Sequence, residues 1–361
     1  MKASLPLLLV TVLALLLAAC GAVNPPDAGN TGSSGSDAQV GPMSTRNTGS
    51  RSSQSPKEKL RLVTTVSPIT NIVYNIAGER ATVVGVVPEG TNSHTFEPAP
   101  SVARTLAAAD LVFINGLNLE EPTLQLAKAN KKASAEIVLL AEQTVTPDQY
   151  VYDFSFPREA GDPNPHLWTN PIHALRYAEI ARDKLTERDP EGAEYYRKNY
   201  EAFKQRIDAL DIGIKRAVES IPEQNRKLLT YHDSFAYFAP RYGMKVIGAI
   251  QPADFSEPSA REVATLIDQL RSEQVPAIFG SEVFPSRVLN QIAREAGVKY
   301  VDTLRDDDLP GKPGESRHSY VGLMVQDVEI MARSLGGDPK LVSSIDTSNV
   351  PGPDSAVEQP Q

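Results

Sequence analysis

The sequence predicts an α/β fold of two lobes, each with a mostly parallel sheet, joined by one long helix. Two observations carry this prediction. In each half of the chain, short runs of valine, isoleucine and leucine alternate with segments of helical periodicity, which is typical of parallel sheets covered by helices. The longest amphipathic segment lies between the two halves, where one helix can serve both lobes.

Eight apolar runs are candidate strands, four in each half of the chain. Those of the first half are LRLVTTV, ATVVGVV, DLVFI and EIVLL, and those of the second are KLLTYH, KVIGAI, PAIFG and VKYVD. We predict an N-terminal lobe over 59–190 and a C-terminal lobe over 222–335.

The linker helix is predicted over 191–221. One apolar stripe recurs there at spacings of three or four residues, as expected for a helix with one buried face. Its members are Tyr196, Tyr200, Phe203, Ile207, Leu210, Ile214 and Val218. Pro190 precedes the helix and Pro222 follows it, so both ends carry a boundary signal.

The first 20 of the 361 residues have the pattern of an export signal. Lys2 supplies a positive charge, and the apolar run over 5–17 is too short to span a bilayer comfortably. The run ends in LAAC at Cys20, which resembles the lipobox of bacterial lipoproteins, where the cysteine is lipid-modified. Cys20 is the only cysteine and cannot form an internal disulfide, so we expect it to carry a lipid.

Two segments are poor in large apolar residues. Residues 21–58 and 336–361 are rich in glycine, serine, asparagine, aspartate and proline. Such segments bury too little surface to offset their ordering entropy. We therefore predict a disordered tether over 21–58 and a disordered tail over 336–361.

The composition excludes one class of partner. Apolar residues make up 41% of the chain, as in a globular protein, and the formal net charge is −9. A nucleic-acid-binding protein would normally show a basic patch and a high pI. No nucleic-acid partner is expected.

Three of the five histidines lie where strands give way to helices or loops. His94 follows the strand ATVVGVV, His166 lies in a proline-rich loop before a helix, and His232 ends the strand KLLTYH. Loops at the carboxyl ends of strands build ligand sites in open α/β sheets. We expect the three side chains to face one cleft between the lobes.

Three imidazoles and a carboxylate make a closed four-ligand site that suits zinc and other late divalent ions. The carboxylate candidates are Asp306, Asp307 and Asp308, which follow the strand VKYVD. None of the histidines has the short spacing of a zinc finger or of an HExxH helix, so spacing alone is weak evidence.

Four motifs, HTFEPAPS, NPHLWTNP, YHDSFAYFAPRYG and the DDDL…SYVGLM segment, resemble the successive motifs of the metal-specific solute-binding lipoproteins of ABC transporters. These are the zinc and manganese receptors, and the resemblance runs from about 60 to 335. It implies two α/β lobes, a long connecting helix and a metal between the lobes. The implied ligands are His94, His166, His232 and one aspartate, with Asp307 the best fit to the family's Asp-Ser-Leu.

The chain departs from the family pattern at three points. Asn164 stands where the family usually has aspartate, two residues before the second ligand. Asp308 stands where the family's Asp-Ser-Leu has serine. The position of the fourth ligand is therefore left open by one residue. The long histidine-rich loop of many zinc receptors is absent before His166.

The resemblance implies capture of a divalent metal outside the cell and delivery to a membrane permease by a monomeric, lipid-anchored receptor. Its place would be the outer face of the bacterial cytoplasmic membrane or the periplasm. Zinc is favoured because His232 stands where manganese receptors often have a carboxylate, and manganese is the alternative. A secreted zinc hydrolase would need an open coordination position and a general base, so no enzyme is expected. The sequence shows no sign of an adhesin role.

Four further residues have open interpretations. His318 could add an accessory metal contact, while His173 suits a helix surface or cap. Glu97 and Glu282 could accept hydrogen bonds from ligating imidazoles, or serve as a helix cap and a salt-bridge partner.

Overall fold

The N-terminal lobe is built on a parallel sheet. In the computed structural model, residues 58–253, 256–283, 287–352 and 357–358 are described. The sheet comprises β1 (Leu60–Thr64), β2 (Ala81–Gly85), β3 (Leu111–Ile114), β4 (Glu136–Leu139) and β9 (Val357–Glu358). The strand order is β4-β3-β1-β2-β9, and every pairing is parallel.

A second parallel sheet forms the core of the C-terminal lobe. Its strands are β5 (Lys227–Thr230), β6 (Lys245–Ala249), β7 (Ala277–Ser281) and β8 (Lys299–Leu304). They run in the order β6-β5-β7-β8, again all parallel. All eight predicted strands are present, and the predicted two-lobe α/β class is confirmed.

Helices cover both sheets. They are α1 (Ser67–Ala77), α2 (Pro100–Ala108), α3 (Glu121–Asn130), α4 (Pro171–Arg188), α5 (Ala193–Glu219), α6 (Ala239–Tyr242), α7 (Ala260–Glu273), α8 (Arg287–Ala296) and α9 (Tyr320–Leu335). Local sequence explains where several of these helices begin. Helices α1 to α4 each have proline in the first turn. Ser259 and Glu262 form a capping box at the start of α7. Among the described residues, no helix has the length and apolar character needed to cross a membrane.

The long helix α5 connects the lobes. It has 27 residues, about 40 Å at 1.5 Å per residue. All seven residues of the predicted apolar stripe are buried. They pack against α1, α4 and α9, so the connector is part of the main hydrophobic core rather than an exposed strut. A separate, smaller core lies between the C-terminal sheet and the helices α7 and α8.

The C-terminal tail differs from the prediction. We expected 336–361 to be disordered, but the described part packs on the lobes. Val342 is fully buried, and Ile345 lies so close to α5 that a Cβ added to Gly213 would be 2.8 Å from its Cδ1 atom. The chain then supplies β9 beside β2. The predicted signal peptide and almost all of the predicted tether lie outside the described residues.

Asn349 holds the tail to the N-terminal lobe. Its Oδ1 atom accepts hydrogen bonds from the Nδ2 atoms of Asn71 and Asn75 on α1, both at 3.0 Å. Val350 N in turn donates to Asn75 Oδ1 at 2.8 Å. The composition of the tail did not predict that it packs on the lobes. The tail has few large apolar residues and is held largely by specific amide hydrogen bonds and strand pairing.

We predict that Asn349→Ala lowers the free energy of unfolding by about 1–3 kcal/mol, because it removes the acceptor of the buried Asn71 amide on α1. Chemical denaturation of the metal-free protein measures this. The control is Asn130→Ala, which removes a hydrogen bond from an exposed asparagine. Equal effects of the two substitutions would contradict a structural role for the tail.

Candidate metal-binding site

Three histidines from distant parts of the chain meet in one cluster. His94 follows β2, His166 precedes α4, and His232 follows β5. The Nε2 atom of His94 lies 3.2 Å from that of His166 and 3.0 Å from that of His232, and the last pair is also 3.0 Å apart. Among the described residues, these three histidines form the group whose ligand atoms lie close enough together to hold one metal ion.

Short asparagine turns place two of these histidines. Asn92 Oδ1 accepts a hydrogen bond from His94 N at 2.9 Å, and Asn164 Oδ1 accepts one from His166 N at 3.1 Å. Asparagine side chains commonly bond to the backbone two residues on and so form a turn. The same Asn-x-His pattern therefore directs an imidazole into the cleft from two loops of the N-terminal lobe.

Side-chain amides determine which nitrogens carry protons. The Nδ1 atom of His166 lies 2.8 Å from Asn164 Oδ1, and that of His232 lies 2.7 Å from Gln251 Oε1. Because these partners are acceptors, each Nδ1 atom must donate, and each Nε2 atom carries a lone pair. The orientation of the Asn164 amide is supported by its Nδ2 atom, which donates to Asp233 O at 2.8 Å.

The site keeps the imidazoles neutral. Burial lowers the pKa of His94 and of His166 well below the usual histidine range, and the neighbouring histidines add to this. Burial also lowers the pKa of His232, against an opposing effect of Asp306. A lowered pKa means that protons leave at lower pH, so all three lone pairs are available at neutral pH.

Asp306 supplies the nearest carboxylate. Its Oδ2 atom lies 3.9 Å from His232 Nε2, is buried, and accepts no hydrogen bond from the described residues. Its backbone oxygen accepts a hydrogen bond from Trp168 Nε1 at 2.8 Å, and its Oδ1 atom lies 3.3 Å from Ser281 Oγ. The carboxylate is thus held beside His232.

The aspartate run is wound, and Asp307 as the fourth ligand stays a prediction. Asp307 Oδ2 accepts a hydrogen bond from Ser93 N at 3.2 Å, while its Oδ1 atom is buried and accepts none from the described residues. Asp308 accepts a hydrogen bond from Gly90 N. Three successive amides of residues 306–308 donate to one carboxylate oxygen, that of Glu282.

The other candidates lie outside the histidine cluster. His318 Nε2 is 3.7 Å from Glu89 Oε1, and the ring of His173 packs 5.5 Å from that of Tyr237. Glu97 is exposed. Glu282 contacts the aspartate run rather than an imidazole. The amide partner Gln251 was missed by sequence reasoning, because nothing in its local sequence marks it.

The cluster fits one cation. An ion about 2.0–2.1 Å from each of the three nitrogens would lie about 1 Å out of their plane. Asp306 Oδ2 lies 3.9 Å from His232 Nε2, but among the described residues no carboxylate joins the three histidines in a group whose ligand atoms all lie within 4.8 Å of one another. Phe156 covers the cluster, with its ring 5.6 to 6.2 Å from the three imidazoles.

Two α/β lobes on one long helix, with a largely buried three-histidine cluster at their strand ends, define a receptor for a metal ion. The sequence model of the family described as zinc-uptake complex component A, periplasmic, matches residues 62–334. The chain belongs to this family. The matched segment ends before the C-terminal tail.

Individual relatives agree with this assignment. The chain is 30% identical to the iron-binding protein YfeA of Yersinia pestis over 280 residues, which cover 77% of this chain and 87% of the relative. It is 29% identical to the manganese-binding lipoprotein MntA of Halalkalibacterium halodurans over 77% of this chain and 89% of the relative. The periplasmic zinc-binding protein TroA of Treponema pallidum has a similar structure, with a TM-score of 0.70 and 26% identity, covering 77% and 99% of the two chains.

These findings establish the class of activity. The chain is a metal-binding component of an ABC transporter and not an enzyme, as predicted. Its relatives include lipoproteins, and the predicted extracytoplasmic location on the outer face of the membrane is confirmed.

Proposed function

We propose that the chain captures one zinc ion through His94, His166, His232 and an aspartate of the run 306–308, with Asp307 the best fit, and delivers it to a membrane permease. The observation that carries this proposal is the convergence of three Nε2 atoms within 3.0–3.2 Å of one another. At least two of these atoms carry lone pairs that face each other. A cation between them converts this repulsion into coordination.

The donor set supports zinc over manganese. Imidazole suits zinc, whereas manganese prefers carboxylate, carbonyl and water oxygens. Three of the four proposed donor atoms are imidazole nitrogens. Manganese is the alternative cargo, because relatives such as MntA are named for binding it.

The metal preference should depend on His232. We predict that His232→Glu lowers the ratio of zinc to manganese affinity by at least about tenfold, because an oxygen donor favours the harder ion. Competition titrations with Zn²⁺ and Mn²⁺ measure the ratio, and one ion should bind per chain. His318→Gln, outside the cluster, should leave the ratio unchanged. A wild-type protein that binds manganese as tightly as zinc would contradict the zinc assignment.

The proposed fourth ligand is testable against its neighbour. Asp307→Ala should weaken zinc binding by more than the roughly tenfold to hundredfold loss typical of a residue that only supports a ligand, because its Oδ1 atom is buried and accepts no hydrogen bond from the described residues. Asp306→Ala should have a smaller effect, because its carboxylate is held at Ser281. Calorimetric titration of both variants measures the order of the losses. The reverse order would place Asp306 on the metal.

We further propose that the protein acts as a monomer, tethered to the membrane through a lipid on Cys20. The support is the LAAC sequence at the end of the export signal, which lies outside the described residues. Cys20→Ala should move the protein out of the membrane fraction or block its processing. An unchanged distribution between membrane and soluble fractions would argue against this anchor.

A further inference from the structure

We infer that the metal ion reaches and leaves the histidine cluster through a cavity beside His94, and that Phe156 closes this passage. The inference rests on the proposed function of the site. The cavity has a volume of about 220 Å³, and of the three histidines it is His94 that lines it. His166 and His232 are buried, whereas His94 is partly exposed. Solvent therefore reaches the cluster from the His94 side.

The rim of this cavity suits the passage of a cation. Asp162 is exposed there, and its Oδ1 atom accepts a hydrogen bond from Asn118 Nδ2 at 2.6 Å. None of the described residues that line the cavity is a lysine or an arginine. A cleft lined by one sign of charge raises the local concentration of ions of the opposite sign. A cation thus meets a negative charge, and no positive one from these residues, on its way to His94.

Phe156 borders both the cavity and the imidazoles. The residue lines the cavity, and its ring lies 5.6, 5.7 and 6.2 Å from the rings of His94, His166 and His232. Only 5% of Phe156 is exposed, because its ring is packed against the cluster. An apolar ring offers no ligand to a metal ion. It must therefore move aside before an ion can pass from the cavity to the three Nε2 atoms.

A tight turn and one buried hydrogen bond hold this ring in place. Asp153 N donates to Phe156 O at 2.9 Å, and Phe156 N donates to Asp153 O at 3.1 Å. Within this turn, Ser155 is buried, and its Oγ atom donates to Gln251 O at 2.7 Å. Gln251 follows β6 of the C-terminal lobe, and its side chain accepts the hydrogen bond from His232 Nδ1. Ser155 therefore fastens the loop that carries Phe156 to the opposite lobe.

A residue that closes a passage should affect both directions of exchange. Phe156→Ala should raise the rate constants of zinc association and dissociation by a similar factor of at least about tenfold, because neither step then has to displace the ring. The dissociation constant should stay within about threefold of wild type, since it is the ratio of the two rate constants. Phe156→Leu, which keeps an apolar side chain, should show a smaller increase of both rate constants.

Stopped-flow mixing of the full chain with zinc and a fluorescent zinc chelator measures both rate constants. Dissociation is measured where its rate no longer depends on the chelator concentration. The matched control is Phe154→Ala, which removes an aromatic ring from the same loop. Phe154 is 48% exposed and is not among the residues that line the cavity. This control should leave both rate constants unchanged.

The hydrogen bond of Ser155 should act through Phe156. Ser155→Ala removes one buried donor and should raise both rate constants about threefold to tenfold. In the Phe156→Ala background, the same substitution should change each rate constant by less than about twofold, because the ring that the bond holds is gone.

The charge of Asp162 should act on association. Asp162→Asn should lower the zinc association rate constant about twofold to threefold at low salt, and the difference should vanish in about 1 M salt. Asp148→Asn changes an exposed aspartate that does not line the cavity and should leave association unchanged.

Three results would overturn the inference. Unchanged rate constants in both Phe156→Ala and Phe156→Leu would place the route elsewhere. An increase of the dissociation rate constant alone would mean that the ring stabilises the bound ion and does not control its passage. Equal acceleration in Phe154→Ala would mean that any loosening of the loop has this effect. Each of these results leaves zinc binding by the wild-type chain intact, whereas its failure to bind zinc would contradict the proposed function.

Discussion

The arrangement of the cleft depends on three imidazole nitrogens within 3.0–3.2 Å of one another, of which those of His166 and His232 face each other with their lone pairs. Asn164 and Gln251 assign the ring protons of His166 and His232 to their Nδ1 atoms, so their Nε2 atoms face each other as acceptors. Asp306 Oδ2 and Asp307 Oδ1 are further buried acceptors without a hydrogen bond from the described residues, and such an acceptor costs about 1–3 kcal/mol. A cation bound by the imidazoles turns their repulsion into coordination, which makes metal binding the event that stabilises the cleft.

The surrounding fold must be rigid enough to maintain this unfavourable arrangement. The buried stripe of α5 packs into the same core as α1 and α9, so the lobes are connected through packed side chains. Asp307 and Asp308 add hydrogen bonds from the C-terminal lobe to the loop before His94. The tail beyond α9 adds contacts to α5 and α1. Each connection limits how far the lobes can separate when the cation is absent.

Sequence reasoning succeeded where local patterns determine structure. The strands and α5 follow from apolar periodicity, and the positions of His94, His166 and His232 follow from the convergence of strand ends. It failed where a distant residue controls a local conformation. The winding of the aspartate run, whose amides donate to Glu282, 24 residues before Asp306, leaves no signal in the run itself. The tail depends on the long-range bonds of Asn349, which composition does not reveal.

X-ray absorption spectroscopy of the zinc-loaded protein tests the central claim most directly, because it reports the number and type of ligands around the ion. The account predicts three imidazole nitrogens and one carboxylate oxygen at about 2.0–2.1 Å, in a closed four-coordinate shell. In the His166→Ala variant, the spectrum should show two imidazole ligands instead of three. A wild-type spectrum with two or fewer imidazoles, or with mainly oxygen ligands, would contradict the assignment of the histidine cluster as the metal site.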